Sequence, residues 1–514
     1  MHFSPRDCHT ALAMTPKEKD CHAFGAFIEG KKNLWRKGYH IKEISMGKIK
    51  LRWLLVIIFI LFTVFVWGIQ EAQDSEEDVF ARRRQRLMEK MDGGLAILRS
   101  EENTSDFYYL TGLAEPNAAI LLIPGEEEEY VMFIQPTSPV RELWTGKHPG
   151  LEEAERVFGA DKAYPVNEFD KVLNRYLRGK SRIYLSFNDK ELYDKVIPML
   201  RSPYGSEPKQ IIDPRLFIHE MRLVKDEKEI ELMKKAADIT CDALIEVMKA
   251  VKPGMYEHEI QAIIEYIFRK NGAQGPGFPS IIGSGPNATI LHYEANNRQT
   301  EDGDLLLMDV GAEFGHYKSD ITRTIPVSGR FTQTQKEIYE VVLQAQKEAI
   351  KIAGPGVGIY EINNRGVEVI KEGLLKLGLI TDKDSGWQHR PWLMYNISHW
   401  VGLDVHDVGG RGPDDGQGRR FVPGMVFTVE PGLYIREDTL ENLPGMVGRL
   451  GIEKDELEDF ISRVKPAVKK YANIGVRIED DILITETGYE VLSSKVPKEI
   501  EAIEKLMREK SYLR

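Results

Sequence analysis

The sequence reads as an α/β (α+β) chain of two folded domains set behind an apolar leader, and three observations lead there. Four short apolar runs, GLAILR (94–99), AAILLIP (118–124), YVMFIQ (130–135) and RIYLSF (182–187), alternate with helix-forming stretches such as ELYDKVIPML (191–200), the rhythm of an α/β domain. A long charged helical segment, LVKDEKEIELMKKAADITCDALIEVMKAV (223–251), then stops before Pro253-Gly254 and marks entry into a second domain. Beyond it, helices such as EIQAIIEYIFRK (259–270) and QKEIYEVVLQAQKEAIKIA (335–353) are interleaved with long paired strands. At 514 residues the chain exceeds the usual size of one domain.

The leader is organised around WLLVIIFILFTVFVWGI (53–69), a run without a polar face, preceded by Lys48, Lys50 and Arg52 and followed by EAQDSEED. The basic flank predicts a cytoplasmic start and export of everything after it. Residues 46–77 are expected to be a signal peptide or signal anchor, with a periplasmic or secreted body and with 53–69 as the only contact with a membrane. Met46 opens MGKIKLRW, a well-formed signal start, so residues 1–45 read as an over-extended start or a cytoplasmic tail. Cys8 and Cys21 fall in that leader and only Cys241 in the body, which excludes an intrachain disulfide framework there. A net charge of -11 leaves no broad basic surface for nucleic acid.

The body is expected to divide into an N-terminal α/β domain, 78–215, and a second domain, 216–514. It opens with VFARRRQRLMEK (79–90), an amphipathic helix whose arginine run reads as a solvated face.

The second domain concentrates acids in apolar strands. DGDLLLMDVGAEFGHYKSDITRTIPVSG (302–329) predicts a strand, a glycine-containing reversal and a returning strand, a hairpin able to set Asp309 close to Asp320. Buried side by side, two carboxylates repel and take up a proton unless a cation sits between them. FVPGMVFTVEPGLYI (421–435) ends an apolar strand on Glu430. In IGVRIEDDILIT (474–485), Arg477 and Glu479 alternate with Val476, Ile478 and Asp480, which favours Glu479 over Asp480 as the inward acid. SHWVGLDVHDVG (398–409) adds His399 and His406, and Gly402 with β-branched valines disfavours a helix between them. Asp309, Asp320, His399, Glu430 and Glu479 together suit two divalent cations. Four carboxylates balance their charge, and oxygen-rich ligation without thiolate points to Mn²⁺, with Co²⁺ or Zn²⁺ as alternatives.

These residues resemble the pita-bread metallopeptidases and, within them, the Xaa-Pro aminopeptidases (aminopeptidase P). The resemblance runs from Val79 to the C-terminus and rests on NTSDFYYLTGLAEPNAAILL, LLLMDVGAEFGHYKSDITRT, SHWVGLDVHDVG, MVFTVEPGLYI and GVRIEDD. It implies a creatinase-like N-terminal domain before a pita-bread catalytic domain, with the same five residues as metal ligands. It also implies that His292, in ILHYEANN, and His406 contact the substrate, that Glu430 shuttles a proton, and that Arg477 supports the site. Tyr434 and Asp106 match further residues near the substrate. The implied reaction is hydrolysis, by a metal-activated hydroxide, of the bond between any N-terminal residue and a following proline, whose nitrogen carries no hydrogen. The partners implied are peptides with proline second and further copies of the chain, as a dimer or tetramer. Prolidase, which takes dipeptides only, is the alternative, and a non-catalytic peptide-binding relative is more distant.

Two features depart from the family pattern. Tyr395 stands four residues before His399 where the family commonly has histidine. A helical insert, GRLGIEKDELEDFISRVKPAVKKY (448–471), separates the last two acid-bearing strands and reads as surface decoration or an oligomer contact. Asp404 and Asp407 are expected to orient backbone or imidazole.

Overall fold

The four apolar runs become strands Leu95–Arg99, Ala119–Leu122, Tyr130–Ile134 and Arg182–Leu185 in a computed structural model. They share a mixed sheet ordered Lys162–Pro165, Tyr130–Ile134, Ala119–Leu122, Leu95–Arg99, Arg182–Leu185, Gln210–Ile212. Side chains alternate between two cores. Leu95, Ile97, Leu121, Val131 and Phe133 meet the apolar sides of helices Phe169–Leu177 and Lys190–Met199. Ala96, Ile120, Leu122, Met132 and Ile134 turn to the opposite core with Leu87, Phe107 and Leu110. A sheet covered on both faces needs such near-continuous apolar strands, because its period of two feeds both layers.

The structure describes residues 79–100, 104–200, 210–413, 415–448 and 452–513, all within the unit Asp74–Arg514. The leader, with Cys8, Cys21, Met46 and the 53–69 segment on which export rests, lies outside the described residues. Among the described residues no helix is long and apolar enough to cross a membrane.

The helix over 79–90 forms as expected, but its arginine run does not stay solvated. Arg83 and Arg84 are buried. Arg83 donates to Asp226 at 2.9 Å and lies over the Tyr109 ring at 4.2 Å, while Arg84 donates to the Leu110 carbonyl at 2.9 Å and lies over Tyr130 at 3.9 Å. Charge alone suggests exposure, yet guanidinium stacks on aromatic faces and satisfies carbonyls, which makes such burial tolerable. Asp226 also begins helix Glu227–Ala250, accepting from Glu229 N while the Glu229 carboxylate receives the Asp226 N–H, each at 2.9 Å.

The second domain is built from short antiparallel sheets backed by helices. Ile281–Ser284, Leu305–Val310 and Ile321–Pro326 form one, with Asp309 opposite Thr322. Val426–Val429, Asp480–Thr485 and Gly488–Val491 form another, and Gly432–Ile435 pairs with Ile474–Arg477. At the exit of the first hairpin strand, any Cβ on Gly311 would drive into the Ser319 carbonyl, so the two chains close tightly there only because that residue is glycine.

The insert lies on the domain. Helix Lys454–Tyr471 buries Phe460, Val464, Val468 and Tyr471, and packs along helix Gln333–Lys351. Tyr471 Oη and Lys470 Nζ both reach Glu337, at 2.6 and 2.7 Å. Its apolar stripe is therefore turned inward, which leaves that stripe unable to serve as an oligomer face.

One buried ion cluster fastens the strands from behind. Arg323 is fully buried and donates to Asp480 Oδ1 at 2.6 Å, to the Glu479 carbonyl at 2.6 Å and to the Val496 carbonyl at 3.1 Å. Asp480 also receives Gln346 at 2.7 Å, Ser493 at 2.5 Å and Lys498 at 2.5 Å. Burial pushes the Asp480 carboxyl up, but Arg323 and Lys498 outweigh it and hold it below the ordinary range. Truncating one member of such a cluster leaves the rest unpaired, so Arg323→Ala should lower stability by about 3 to 5 kcal/mol in urea unfolding. A loss below about 1 kcal/mol, the worth of a surface pair, would contradict this.

Candidate active site

Strand ends converge on one pocket. Asp309 sits near the end of Leu305–Val310 and Asp320 just ahead of Ile321–Pro326. Glu430 follows Val426–Val429, and Glu479 links Ile474–Arg477 to Asp480–Thr485. His399 is laced to Thr428, whose N–H reaches the His399 carbonyl at 2.8 Å and whose hydroxyl receives the His399 N–H at 3.1 Å. Backbone bonds tie the other members together, Glu430 N to the Ile397 carbonyl at 2.8 Å and Glu479 N to the Thr322 carbonyl at 3.1 Å.

The five expected ligand residues meet there. His399 Nε2 lies 3.5 Å from Asp320 Oδ2, 3.5 Å from Glu430 Oε1 and 4.0 Å from Glu479 Oε1. Ligand atoms of Asp320, His399 and Glu479 all fall within 4.8 Å of one another. Asp309 lies near enough to Asp320 for its charge to bear on that carboxyl. His399 Nδ1 faces the Trp400 carbonyl at 3.0 Å; donating there, the ring turns a bare Nε2 lone pair on the acids. Asp480, the neighbour of Glu479, points the other way, to Arg323.

The carboxylates fit a cation by what they lack. Asp309 Oδ1, Asp320 Oδ1 and Glu479 Oε1 are buried without a hydrogen-bond partner, whereas Asp309 Oδ2 receives Arg477 and Glu479 Oε2 receives Thr322 at 2.6 Å. Orphaned buried oxygens are costly, and divalent ions would satisfy them. Burial raises the Asp320 carboxyl well above its ordinary value, with the charges of Asp309, Asp481 and Glu430 adding to it. Burial likewise raises Glu479, helped by Asp320, Glu430 and Asp309, and raises Glu430, which His399 and Arg477 partly relieve. Asp481, also buried, accepts the Asp320 N–H at 3.1 Å and is pushed up to about 8 by its burial.

A polar chain orients these groups. Tyr395 Oη donates to the Glu430 carbonyl at 3.0 Å and lies 2.9 Å from Tyr434 Oη. Tyr434 Oη receives Arg477 Nη1 at 2.7 Å, and Arg477 Nε donates to Thr322 Oγ1 at 3.1 Å. Arg477 thus reaches Asp309 directly and Glu479 through Thr322. The two phenols converge over Gly432, where a Cβ would come within 2.6 Å of Tyr434 Oη and 2.7 Å of Tyr395 Oη.

His406 stands beside His399, ring centroids 4.3 Å apart at 68°. Burial lowers its pKa, and the nearby His399 and His292 lower it further. His292 is exposed on a loop pinned from beneath by Glu257. That fully buried carboxylate accepts Ser284 N at 2.7 Å, Tyr293 Oη at 2.8 Å and Arg298 N at 2.8 Å. Asp106 touches the site at one remove. It grips Arg222 at 2.6 Å, and Arg222 in turn holds Asp404 at 2.8 Å and Asp407 at 2.6 Å on either side of His406. Lys225 completes the cluster on Asp407 at 3.0 Å. Asp404 and Asp407 therefore anchor their loop to arginine and lysine, where imidazole had been one of the expected partners. Thr322, Glu257, Arg222 and Lys225 escape a reading of the sequence, since each acts on residues distant along the chain.

Thr322→Val keeps the side-chain shape but frees Glu479 Oε2 and Arg477 Nε. Mn²⁺ binding measured by calorimetry should weaken about tenfold, the lower end for a supporting hydrogen bond. An unchanged dissociation constant would remove Thr322 from the network.

Family comparison matches residues 231–486 to "Metallopeptidase family M24" and residues 80–184 to "Aminopeptidase P, N-terminal domain". Over 455 residues the chain is 38% identical to the Xaa-Pro aminopeptidase of Escherichia coli (strain K12), spanning 83% of this chain and 97% of that one. Among solved structures it resembles the Pseudomonas aeruginosa aminopeptidase PepP at a TM-score of 0.74 and 37% identity, over 84% of this chain and 98% of that one. A Zn-substituted E. coli aminopeptidase P in complex with product is similar to the same degree, at a TM-score of 0.74 and 37% identity over 84% and 98%.

Proposed function

The chain belongs to metallopeptidase family M24, in its aminopeptidase P branch, and on that footing we propose that it is a metalloaminopeptidase releasing the N-terminal residue that precedes proline. The observation that carries the reading is the buried cluster of Asp309, Asp320, His399, Glu430 and Glu479, three of whose carboxylates keep one oxygen unpartnered. We assign these five as the ligands of two divalent cations, with Mn²⁺ as the metal best matched to oxygen-rich ligation and Co²⁺ or Zn²⁺ as substitutes. When bound, such ions supply Lewis acidity toward the scissile carbonyl and lower the pKa of water.

The protein's own groups do the rest. His292 and His406 donate hydrogen bonds to the substrate carbonyl and to the charge that develops on it. The lowered pKa of His406 keeps its ring neutral near pH 7, with one N–H to donate. The Glu430 carboxylate takes up the proton released by the attacking water and passes it to the prolyl nitrogen as the C–N bond breaks, so that proline leaves as a secondary amine. Arg477 steadies Asp309 and, through Tyr434 and Thr322, the opposite side of the pocket. In this reading Tyr434 lies beside the substrate, and Asp106 orders the His406 loop through Arg222.

Oligomerisation and export belong to the proposal as well. Val140, Leu143 and Trp144 expose an apolar side of helix Pro139–Thr145, at 71%, 84% and 82%, which supports self-association as a dimer or tetramer. Export rests on the 53–69 segment and its basic flank alone.

With Mn²⁺, residues 79–514 should release alanine from Ala-Pro-Xaa peptides, followed by chromatography of the products. Cleavage of Ala-Pro but of nothing longer would instead make the enzyme a prolidase. Glu430→Ala should abolish turnover, and near wild-type rate in that variant would remove Glu430 from proton transfer. Chelating the metal should lower the melting temperature, since ligand binding to the folded state contributes about 4 kcal/mol at a thousandfold excess over Kd. A melting curve indifferent to Mn²⁺ would count against the ligand set.

A further inference from the structure

We infer that the helical insert is a strut for the active site. Helix Lys454–Tyr471 holds Trp387, and Trp387 sets the segment that delivers the Tyr395 hydroxyl to the Tyr434–Arg477 chain. This rests on the aminopeptidase reading of that site.

Topology suggests the role first. Strand Gly432–Ile435, which carries Tyr434, leads through helix Thr439–Val447 to the insert, and the insert returns into strand Ile474–Arg477, which ends on Arg477. The strands on either side of it therefore carry the two middle members of the polar chain. Between them the helix reaches across Gln333–Lys351, anchored by Tyr471 and Lys470 on Glu337. At its other end it meets the segment leading to His399. The Trp387 ring packs edge-on against Phe460, centroids 4.8 Å apart at 66°, and its indole N–H donates to Glu456 Oε1 at 3.0 Å. Both partners lie on the insert. A ring contact together with a directed hydrogen bond fixes position and rotation at once.

From Trp387 toward Tyr395 the segment is anchored at several points. Gln388 Oε1 accepts Thr381 N at 2.8 Å and Asp382 N at 3.0 Å, folding the segment back on itself. Trp392, fully buried, donates to the Leu379 carbonyl at 3.0 Å, and its own carbonyl accepts Tyr434 N at 3.2 Å. Ile397 N donates to Asn363 Oδ1 at 3.1 Å. Tyr395, between these fixed points, has its hydroxyl aimed at the Glu430 carbonyl and Tyr434 Oη. The insert and Tyr395, the two departures from the family pattern, are thus ends of one mechanical connection. Tyr395 and Trp387 are positioning residues here, acting on Glu430 and Arg477 through hydrogen bonds and packing.

A double-mutant cycle tests this, with Tyr395→Phe and Phe460→Ala in the full chain loaded with Mn²⁺. Tyr395→Phe removes only the hydroxyl and should lower kcat on Ala-Pro-Xaa about tenfold with little change in KM, as for a group that orients the ligand set. Phe460→Ala should lower kcat about threefold to tenfold by itself, yet by less than about twofold in the Tyr395→Phe background, because connected residues are not additive. Phe460→Leu, which keeps the apolar contact, should restore kcat. Melting temperatures separate this from simple loss of packing, since the coupling should persist among variants of equal stability. Mn²⁺ affinity by calorimetry provides the same cycle without turnover. If wild-type protein fails to cleave the peptide, the aminopeptidase reading fails, while coupled Mn²⁺ affinities would still support the strut. Additive effects in both readouts, or wild-type kcat in Tyr395→Phe, would overturn it.

Discussion

Mutual repulsion among buried carboxylates is the constraint around which the second domain is arranged. Asp309, Asp320, Glu430 and Glu479 approach one histidine at the ends of strands drawn from distant parts of the chain, and burial, reinforced by the neighbouring acids, drives three of them toward the protonated form. Such a cluster cannot hold itself together. The surrounding structure supplies the restraint in a particular way, taking up one oxygen of Asp309 and one of Glu479 and leaving the other open. A site satisfied completely by protein donors would have no room for a cation, and one left wholly unsatisfied would not stay closed.

Two adjacent acids show how finely this is divided. Glu479 faces the pocket with an unpartnered oxygen, while Asp480, next in sequence, receives Arg323, Lys498, Gln346 and Ser493 and is held ionised. Glu479, in the extended link before the strand, turns to the site, and Asp480, the first strand residue, turns to the back of the sheet. The ion cluster behind then pins the backbone whose forward side chain must stay open. Stability and reactivity are carried by neighbouring residues that point opposite ways where the chain enters strand Asp480–Thr485.

The same alternation explains what could be read in advance. The four apolar runs, the acidic hairpin and the choice of Glu479 over Asp480 all follow from a period of two acting within a few residues, and local rules suffice for them. What escaped depends on partners far along the chain. Nothing near Arg83 and Arg84 signals that Asp226 and aromatic rings will bury them. Glu257 resembles any helix-starting acid until the loop of residues 284–298 folds over it. Which surface the insert covers cannot be stated from its amphipathic stripe alone.

The bridge from Asp106 through Arg222 to Asp404 and Asp407 has an evolutionary consequence. Arg222 is almost completely buried, so its charge is tolerable only while acids from both sides surround it. Were the N-terminal domain exchanged for one lacking an acid at that helix, the exchange would strand a buried cation beside the His406 loop. The two parts of the body could therefore be exchanged between relatives only if an acid facing Arg222 came with them.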